Sequence, residues 1–259
     1  MDITIDFTKS AQENAQQYFG SSKKAKWKAA GAEKAVKELE NELGKESGKA
    51  GERKEIRRIV EKEWYEKFNW FHTSTNMLVI GGRSAQQNEL VNSKYFESND
   101  LFFHADIFGA SVMIMKDGVN STPEARDEAA QFAACYSSAW ENRTSTDVYS
   151  VKRDQVSKST GKGSLGTGSF LITGEREWFR RLQLELCAFI EEGGSDKTPF
   201  RVVPSLTAER RKTKHYLSIR PGNTKKSDAA KFIAKKLGYN DIDYVMQHLP
   251  AGSFSIKEV

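Results

Sequence analysis

The sequence is short of cysteine, of proline and of long apolar runs, and each shortage removes a class of protein. Cys135 and Cys187 are its two cysteines. Each sits in an apolar pattern, which points to buried free thiols and away from a disulfide framework or a thiolate metal site. His72, His104, His215 and His248 show no metal-ligand spacing. No stretch is apolar enough to span a bilayer. Met1-Asp2-Ile3 lacks the basic start and apolar continuation of a signal peptide. The expectation is a soluble cytoplasmic protein without metal, cofactor or membrane contact. No Ser or Cys stands in a recognisable nucleophile elbow, so a catalyst is not expected either.

Charge is what the chain has. Charged residues make up 29% of it against 38% hydrophobic, and 259 residues suffice for a sizeable core in one large or two small domains. The net charge of +5 and pI of about 9.0 are mild. Their distribution is not. Between Arg201 and Lys236 stand Arg201, Arg210, Arg211, Lys212, Lys214, Arg220, Lys225, Lys226, Lys231, Lys235 and Lys236, opposed by Glu209 and Asp228 alone. Such an excess suggests a phosphate-facing patch.

The chain is organised around residues 71–110. Met77 to Ile80 read as a buried strand. Gly81-Gly82 stops it, Ser84 can cap a helix, and Gln87 stands where a capping box wants it. Arg83 is thereby held beside free helix-start N–H groups, a place suited to an anion. A structural turn is the competing reading of this glycine pair. After a turn at Ser98-Asn99-Asp100, Leu101 to Asp106 read as a second strand. Period two puts His104 and Asp106 on one side of it. The pair reads either as a general base with its carboxylate or as a buried hydrogen-bonded pair fixing the bend before Gly109.

Before this unit, helix-forming residues run from Lys9 to Leu43 and resume at Ile56, Val60 and Trp64. Gly44–Gly51 is the expected tip of an antiparallel helical hairpin. Trp64, Phe68, Trp70 and Phe71 are expected mainly in the core. After the unit, Ser111–Met115 reads as a strand. Thr122-Pro123-Glu124 starts a helix whose apolar face carries Ala125, Ala129, Phe132, Ala133, Tyr136, Ala139 and Trp140. A Gly- and Ser-rich loop runs from Lys158 to Phe170 without the spacing of a nucleoside-triphosphate loop. Phe170–Thr173 and Leu182–Ile190 read as strands. Residues 191–199 are the best internal boundary. Beyond them, His215–Arg220 reads as a strand, Pro221-Gly222-Asn223 as a turn, Ser227 as the cap of a helix through Leu237, and Asp241–Leu249 as a last short helix.

KFNWF (67–71), LVIGGRSAQQNE (78–89), DLFFHADIFGAS (100–111), CYSSAW (135–140), QVSK (155–158) and TGSFLITG (167–174) follow one another in an order that resembles the RNA-binding domain of the NFACT family. The stretches NAQQYF and KKAKWKAAGAEKA resemble that family's coiled-coil region, and the tail resembles an extension in archaeal members. The resemblance implies ribosome-associated quality control: binding of obstructed large ribosomal subunits, their rRNA and tRNA, with further quality-control proteins as partners of the helical arm. It departs from the family where Ser84 replaces the usual Asp, where Phe108 replaces the usual His, and around Gly163-Ser164-Leu165, where a Gly-Glu-Tyr motif is usual. Nothing here matches the family's large N-terminal domain. The chain therefore reads as a C-terminal part, either excised or naturally short.

The expected architecture is α+β. It comprises a helical hairpin over 1–66, a mixed sheet with packed helices over 67–190, and a small basic α/β module over 191–259. Candidate RNA contacts are Arg83, Gln87, Asn88, His104, Lys152, Lys158, Lys162, Arg210, Arg211, Lys212 and Lys214. A protein-interaction platform built on the arm is the second reading, and a nuclease-like hydrolase using His104 the third.

Overall fold

A computed structural model describes residues 63–159, 163–191 and 198–259, with scattered positions between 10 and 33. The chain divides into two compact units, Met1–Ile59 and Val60–Val259. The described positions between Ala11 and Glu33 are helical. The expected hairpin tip and its apolar seam lie outside the described residues.

The second unit is α+β. Its elements begin with strands β1 (Asn69–His72) and β2 (Leu78–Gly81), helix α1 (Ala85–Leu90) and a π-helical turn (Val91–Tyr95). Strands β3 (Leu101–Ala105) and β4 (Met113–Met115) follow, then α2 (Pro123–Cys135), α3 (Ser138–Asn142), β5 (Val148–Lys152) and the short strands β6 (Val156–Ser157), β7 (Leu171–Ile172) and β8 (Glu177–Phe179). The chain continues through β9 (Leu186–Ile190), β10 (Phe200–Pro204), α4 (Ser205–Arg210), β11 (Leu217–Lys225), α5 (Lys226–Leu237), α6 (Ile242–Gln247) and β12 (Ser253–Glu258).

Six strands form an antiparallel sheet in the order β1-β2-β4-β3-β5-β8. A second antiparallel sheet has the order β10-β9-β11-β12. The expected boundary at residue 191 runs through this second sheet, with β9 before it and β10 to β12 after it.

The alternation of the first sheet divides the apolar side chains between two cores. Phe71, Val79, Leu101, Phe103, Ala105, Met113, Met115, Val148 and Phe179 face α2 and join the second sheet in one cluster. Trp70, Ile80, Phe102, Ile114, Tyr149 and Val151 face the other way. There they are covered by Tyr65, Phe68, the π-turn residue Val91, Phe96 and Val156. Of the four crowded aromatics, Phe68, Trp70 and Phe71 are buried, whereas Trp64 is half exposed and stacks on Tyr95 with ring centres 4.8 Å apart.

Thr122 caps α2 by accepting from the Ala125 amide, with Pro123 in the first turn, as the sequence leads one to expect. The sequence shows one apolar face on this helix, but every residue from Glu128 to Cys135 is buried. A helix touching β3, β5 and β10 is covered all round. Its polar residues therefore need internal partners. Gln131 donates to Ser205 Oγ (2.9 Å) and accepts from the Leu206 amide (3.0 Å). Glu128 accepts from the Ser74 amide and hydroxyl and from the Thr207 hydroxyl.

Local expectations are corrected in three places. Pro221-Gly222-Asn223 is not a turn: β11 continues through it with a bulge against β12. A Cβ on Gly222 would lie 2.3 Å from the Ser255 amide nitrogen, so only glycine fits that bulge. Helix α5 begins at Lys226 with no side-chain cap, so Ser227 does not cap it. The strand read over Leu182–Ile190 is shorter, and the edge strand β8 lies just before it.

Candidate nucleic-acid interface

The cover over the second face of the first sheet stops short of the corner formed by β3, β5 and β8. A cleft of about 530 Å³ opens there. Its walls are Arg83, Ala85 and Asn88 on one side, the bend Ile107–Ser111 on another, and the glycine loop Thr167–Phe170 on a third, with Phe102, His104 and Tyr149 at its floor.

The α1 wall depends on the glycine pair. A Cβ on Gly82 would lie 2.2 Å from Asn88 Oδ1 and 2.6 Å from the Asn88 nitrogen. Ser84 caps α1 by accepting from the Gln87 amide (3.2 Å). The return bond of the box is displaced by one residue, because Gln87 Oε1 accepts from the Arg83 amide (2.9 Å). Asn88 is buried and accepts from the Val112 amide (3.1 Å). Gln87 and Asn88 thus build the wall.

Arg83 is also largely engaged. Its guanidinium donates to the carbonyls of Phe68 (2.7 Å) and Glu66 (3.4 Å), to Asn69 Oδ1 (3.3 Å) and to Gln247 Oε1 (3.4 Å). No ion-pair partner accompanies it among the described residues, and burial lowers its pKa from the usual value. It lines a second cleft of about 510 Å³ with Lys226, Ser111, Ser138 and Glu141, so its side chain separates two openings. Lys226 donates to the Leu249 carbonyl (2.7 Å) and is likewise lowered, first by burial and then by the Arg83 charge.

Lys158 holds the opposite wall. Its ammonium pairs with Glu89 (2.7 Å) and donates to the carbonyls of Gly166 and Ser169 (each 3.0 Å). Glu89 also accepts from the Gly168 amide (3.1 Å). Gly168 takes φ +80°, and a Cβ there would press to 3.0 Å from Ala85 Cβ. The loop therefore packs on the first residue of α1. Arg83 lines this cleft, and Lys158 clamps the glycine loop from behind its wall.

His104 is half buried at the floor, with its ring stacked 6.1 Å from Phe102 and tilted against Tyr149 at 5.9 Å. Burial holds its imidazole below the ordinary histidine pKa, with the backbone of Ala105 and Ala110 and the Asp106 charge acting the other way. Asp106 is exposed. Of the two readings of His104 and Asp106, the buried pair does not hold with Asp106 exposed, and the ring, kept largely neutral by burial, lies among aromatic neighbours. Such a ring suits stacking better than phosphate pairing.

The remaining candidates lie away from the cleft. Lys152 is exposed on the opposite face of the sheet, near Arg126 and Glu177. Lys162 lies outside the described residues. Arg210 donates to the Glu124 carbonyl and to the carboxylates of Glu128 (3.1 Å) and Asp127 (3.4 Å). Arg211 binds Glu191 (3.2 Å) and the carbonyls of His72 and Thr73. Lys212 and Lys214 are exposed. The 210–214 cluster is therefore half structural: Arg210 and Arg211 tie the end of α4 to α2 and β1, while Lys212 and Lys214 face solvent.

Residues 67–174 match the family described as "NFACT protein RNA binding domain". The ribosome quality control complex subunit NEMF homolog of Drosophila melanogaster is 37% identical over 71% of this chain and 19% of its own length. The archaeal Rqc2 homolog aRqcH of Methanocaldococcus jannaschii is 35% identical over 79% of this chain and 30% of its own length.

This chain carries an NFACT RNA-binding domain over residues 67–174.

It spans less than a third of the length of either relative. Among solved structures, the C-terminal part of the fibronectin/fibrinogen-binding protein from Streptococcus suis is similar at 21% identity and a TM-score of 0.39, over 68% of this chain and 77% of that one.

Within the NFACT domain, sequence reasoning passed over the most exposed cleft residue. Phe108 is 98% exposed at the tip of the bend, held there by Gly109 at φ +81° and by the Ser138 hydroxyl bonded to the Phe108 carbonyl (2.6 Å). It stands where the family usually has His. Tyr149 was also missed, since a buried ring in a strand reads only as core. The signal available for Phe108 was its place between Ile107 and a glycine, outside the strand period.

Proposed function

We propose that this chain is the RNA-binding part of a ribosome-associated quality control factor. It works in the cytoplasm on obstructed large ribosomal subunits and the rRNA and tRNA they present. It acts by binding and not by catalysis. The names of the NFACT relatives support the setting. The cleft supports the chemistry: an exposed aromatic ring at its rim, a largely neutral imidazole at its floor, and glycine-loop backbone on its wall offer stacking and hydrogen bonding to ribose, base and phosphate. The observation that carries the reading is the placing of Phe108, His104 and the glycine loop around one opening of a domain matched to RNA binding. Arg83 and Lys158 shape that opening, and exposed lysines supply the longer-range attraction.

A salt titration tests it. The full chain is expected to bind tRNA and purified large subunits with an affinity that falls steeply with salt. Replacing Lys212 and Lys214 by Ala should shrink the slope by about one for each phosphate that is no longer neutralised. Phe108→Ala should weaken binding without changing that slope. No measurable affinity for either RNA at low salt would overturn the proposal.

A further inference from the structure

The row of rings does not end at the cleft. Tyr149 is the direct cross-strand partner of His104 on one side and of Trp178 on the other. Ring centres lie 5.9 Å apart for His104 and Tyr149 and 5.5 Å apart for Tyr149 and Trp178. Trp178 sits on β8, the edge of the sheet, and is 37% exposed. Its neighbour Phe179 is buried on the opposite face, so Trp178 belongs to the open side.

Two arginines flank it. Arg176 lies 4.5 Å from the Tyr149 ring centre and 5.9 Å from that of Trp178, and Arg180 lies 5.2 Å from Trp178. Arg180 pairs with Asp147 (2.7 Å). Arg176 has no carboxylate partner among the described residues. Glu177 is turned to the other face, where it meets Ser150 and Arg126. An edge indole bracketed by exposed guanidinium groups matches a ligand with flat apolar faces joined by anionic links. That describes an unpaired nucleotide strand. Three residues of edge strand are too few to hold an added peptide strand firmly, which disfavours a protein occupant.

We propose that Trp178 is a stacking platform for an unpaired nucleobase, with Arg176 and Arg180 meeting the flanking phosphates, so that a single strand runs from the Phe108 cleft to the β8 edge. The inference rests on the RNA-binding reading above and narrows its ligand to unpaired nucleotides. On binding, a base replaces guanidinium contact with the indole, and the freed cations turn to phosphate. A base stack is the stronger of the two contacts at an exposed site.

The test uses the full chain with a labelled oligoadenylate, the same length of duplex RNA, and tryptophan fluorescence. Trp178→Ala is expected to weaken oligoadenylate binding roughly fivefold or more and to leave duplex binding unchanged. Trp178→Phe keeps a ring, so it should hold most of the affinity while losing the RNA-induced quenching of fluorescence. Thermal unfolding of both variants checks that the fold persists. Wild-type affinity for oligoadenylate in Trp178→Ala overturns the inference and leaves the proposed function standing. An equal loss on single strand and duplex also overturns it, because stacking cannot account for that. No RNA binding by the unaltered chain would sink both.

Discussion

Lys158 and Glu89 lie 69 residues apart in the chain and 2.7 Å apart in space, and their contact closes the glycine loop over the start of α1. The ammonium that the sequence offers as a phosphate contact already serves two loop carbonyls and one carboxylate. Glu89 is held below the ordinary glutamate pKa chiefly by that hydrogen bond.

Breaking this contact should loosen the loop more than the fold. Both side chains are about one-third exposed, so the pair is worth at most about 1 kcal/mol. Lys158→Ala or Glu89→Gln should therefore leave the unfolding midpoint nearly unchanged. Hydrogen exchange at the Gly168 amide should accelerate in Glu89→Gln, where its acceptor loses its charge, and in Lys158→Ala, where the loop loses its ammonium tie to Glu89. Since the folded carboxyl is depressed, whatever stability the pair adds is present above pH 4.5 and is lost as the pH falls through the folded value.

Arg210→Ala should behave as a core mutation. It strips a cation from Glu128, which is fully buried and keeps only neutral partners at Ser74 and Thr207. An uncompensated buried carboxylate costs about 3 kcal/mol or more. Denaturant unfolding should show that loss, whereas Lys214→Ala should be close to neutral. Equal stability of the two variants would contradict the structural role given to Arg210.

Arg83→Lys should not rescue Arg83→Ala. The guanidinium reaches four acceptors on two segments at once, residues 66–69 and Gln247, and an ammonium lacks that planar fork. Each variant is expected to lose about 1–3 kcal/mol, because buried carbonyls are left without donors.

His104 should make the domain weaker in mild acid. Its folded pKa lies below the usual 6.5 because burial disfavours the imidazolium. Between the folded value and 6.5 the unfolded chain binds more protons, so stability falls as the pH drops through that window. His104→Gln should flatten the fall between pH 7 and pH 5 in a series of unfolding curves.

Gly82→Ala should cost about 1–3 kcal/mol through overpacking. The new methyl would meet the Asn88 backbone and the oxygen that holds the Val112 amide. The same change at Gly238, where nothing lies within 4 Å of the added Cβ, meets only the strain of φ +64° and should be milder.

Much of this protein was legible in its residues. Period-two alternation through Phe71, Val79, Leu101 and Phe103 sorts the sheet faces. Thr122-Pro123 starts α2, and the ordered motifs over 67–174 declare an NFACT RNA-binding domain. These signals are local, or are strings that survive without coordinates. What remained hidden depends on neighbours far along the chain. Nothing near Arg210 in sequence announces Glu128, and nothing near Lys158 announces Glu89, so free and engaged cations look alike on paper. The covering of α2 on all sides, the continuation of β11 through Pro221-Gly222 and the joining of β9 to β10 across residue 191 are of the same kind. Sequence determined which segments become strand, helix and glycine turn, because those follow from backbone sterics and side-chain period. Only the tertiary structure decided which charges face water and which rings stay open, because burial and pairing are set by what packs against a residue and not by the residue itself.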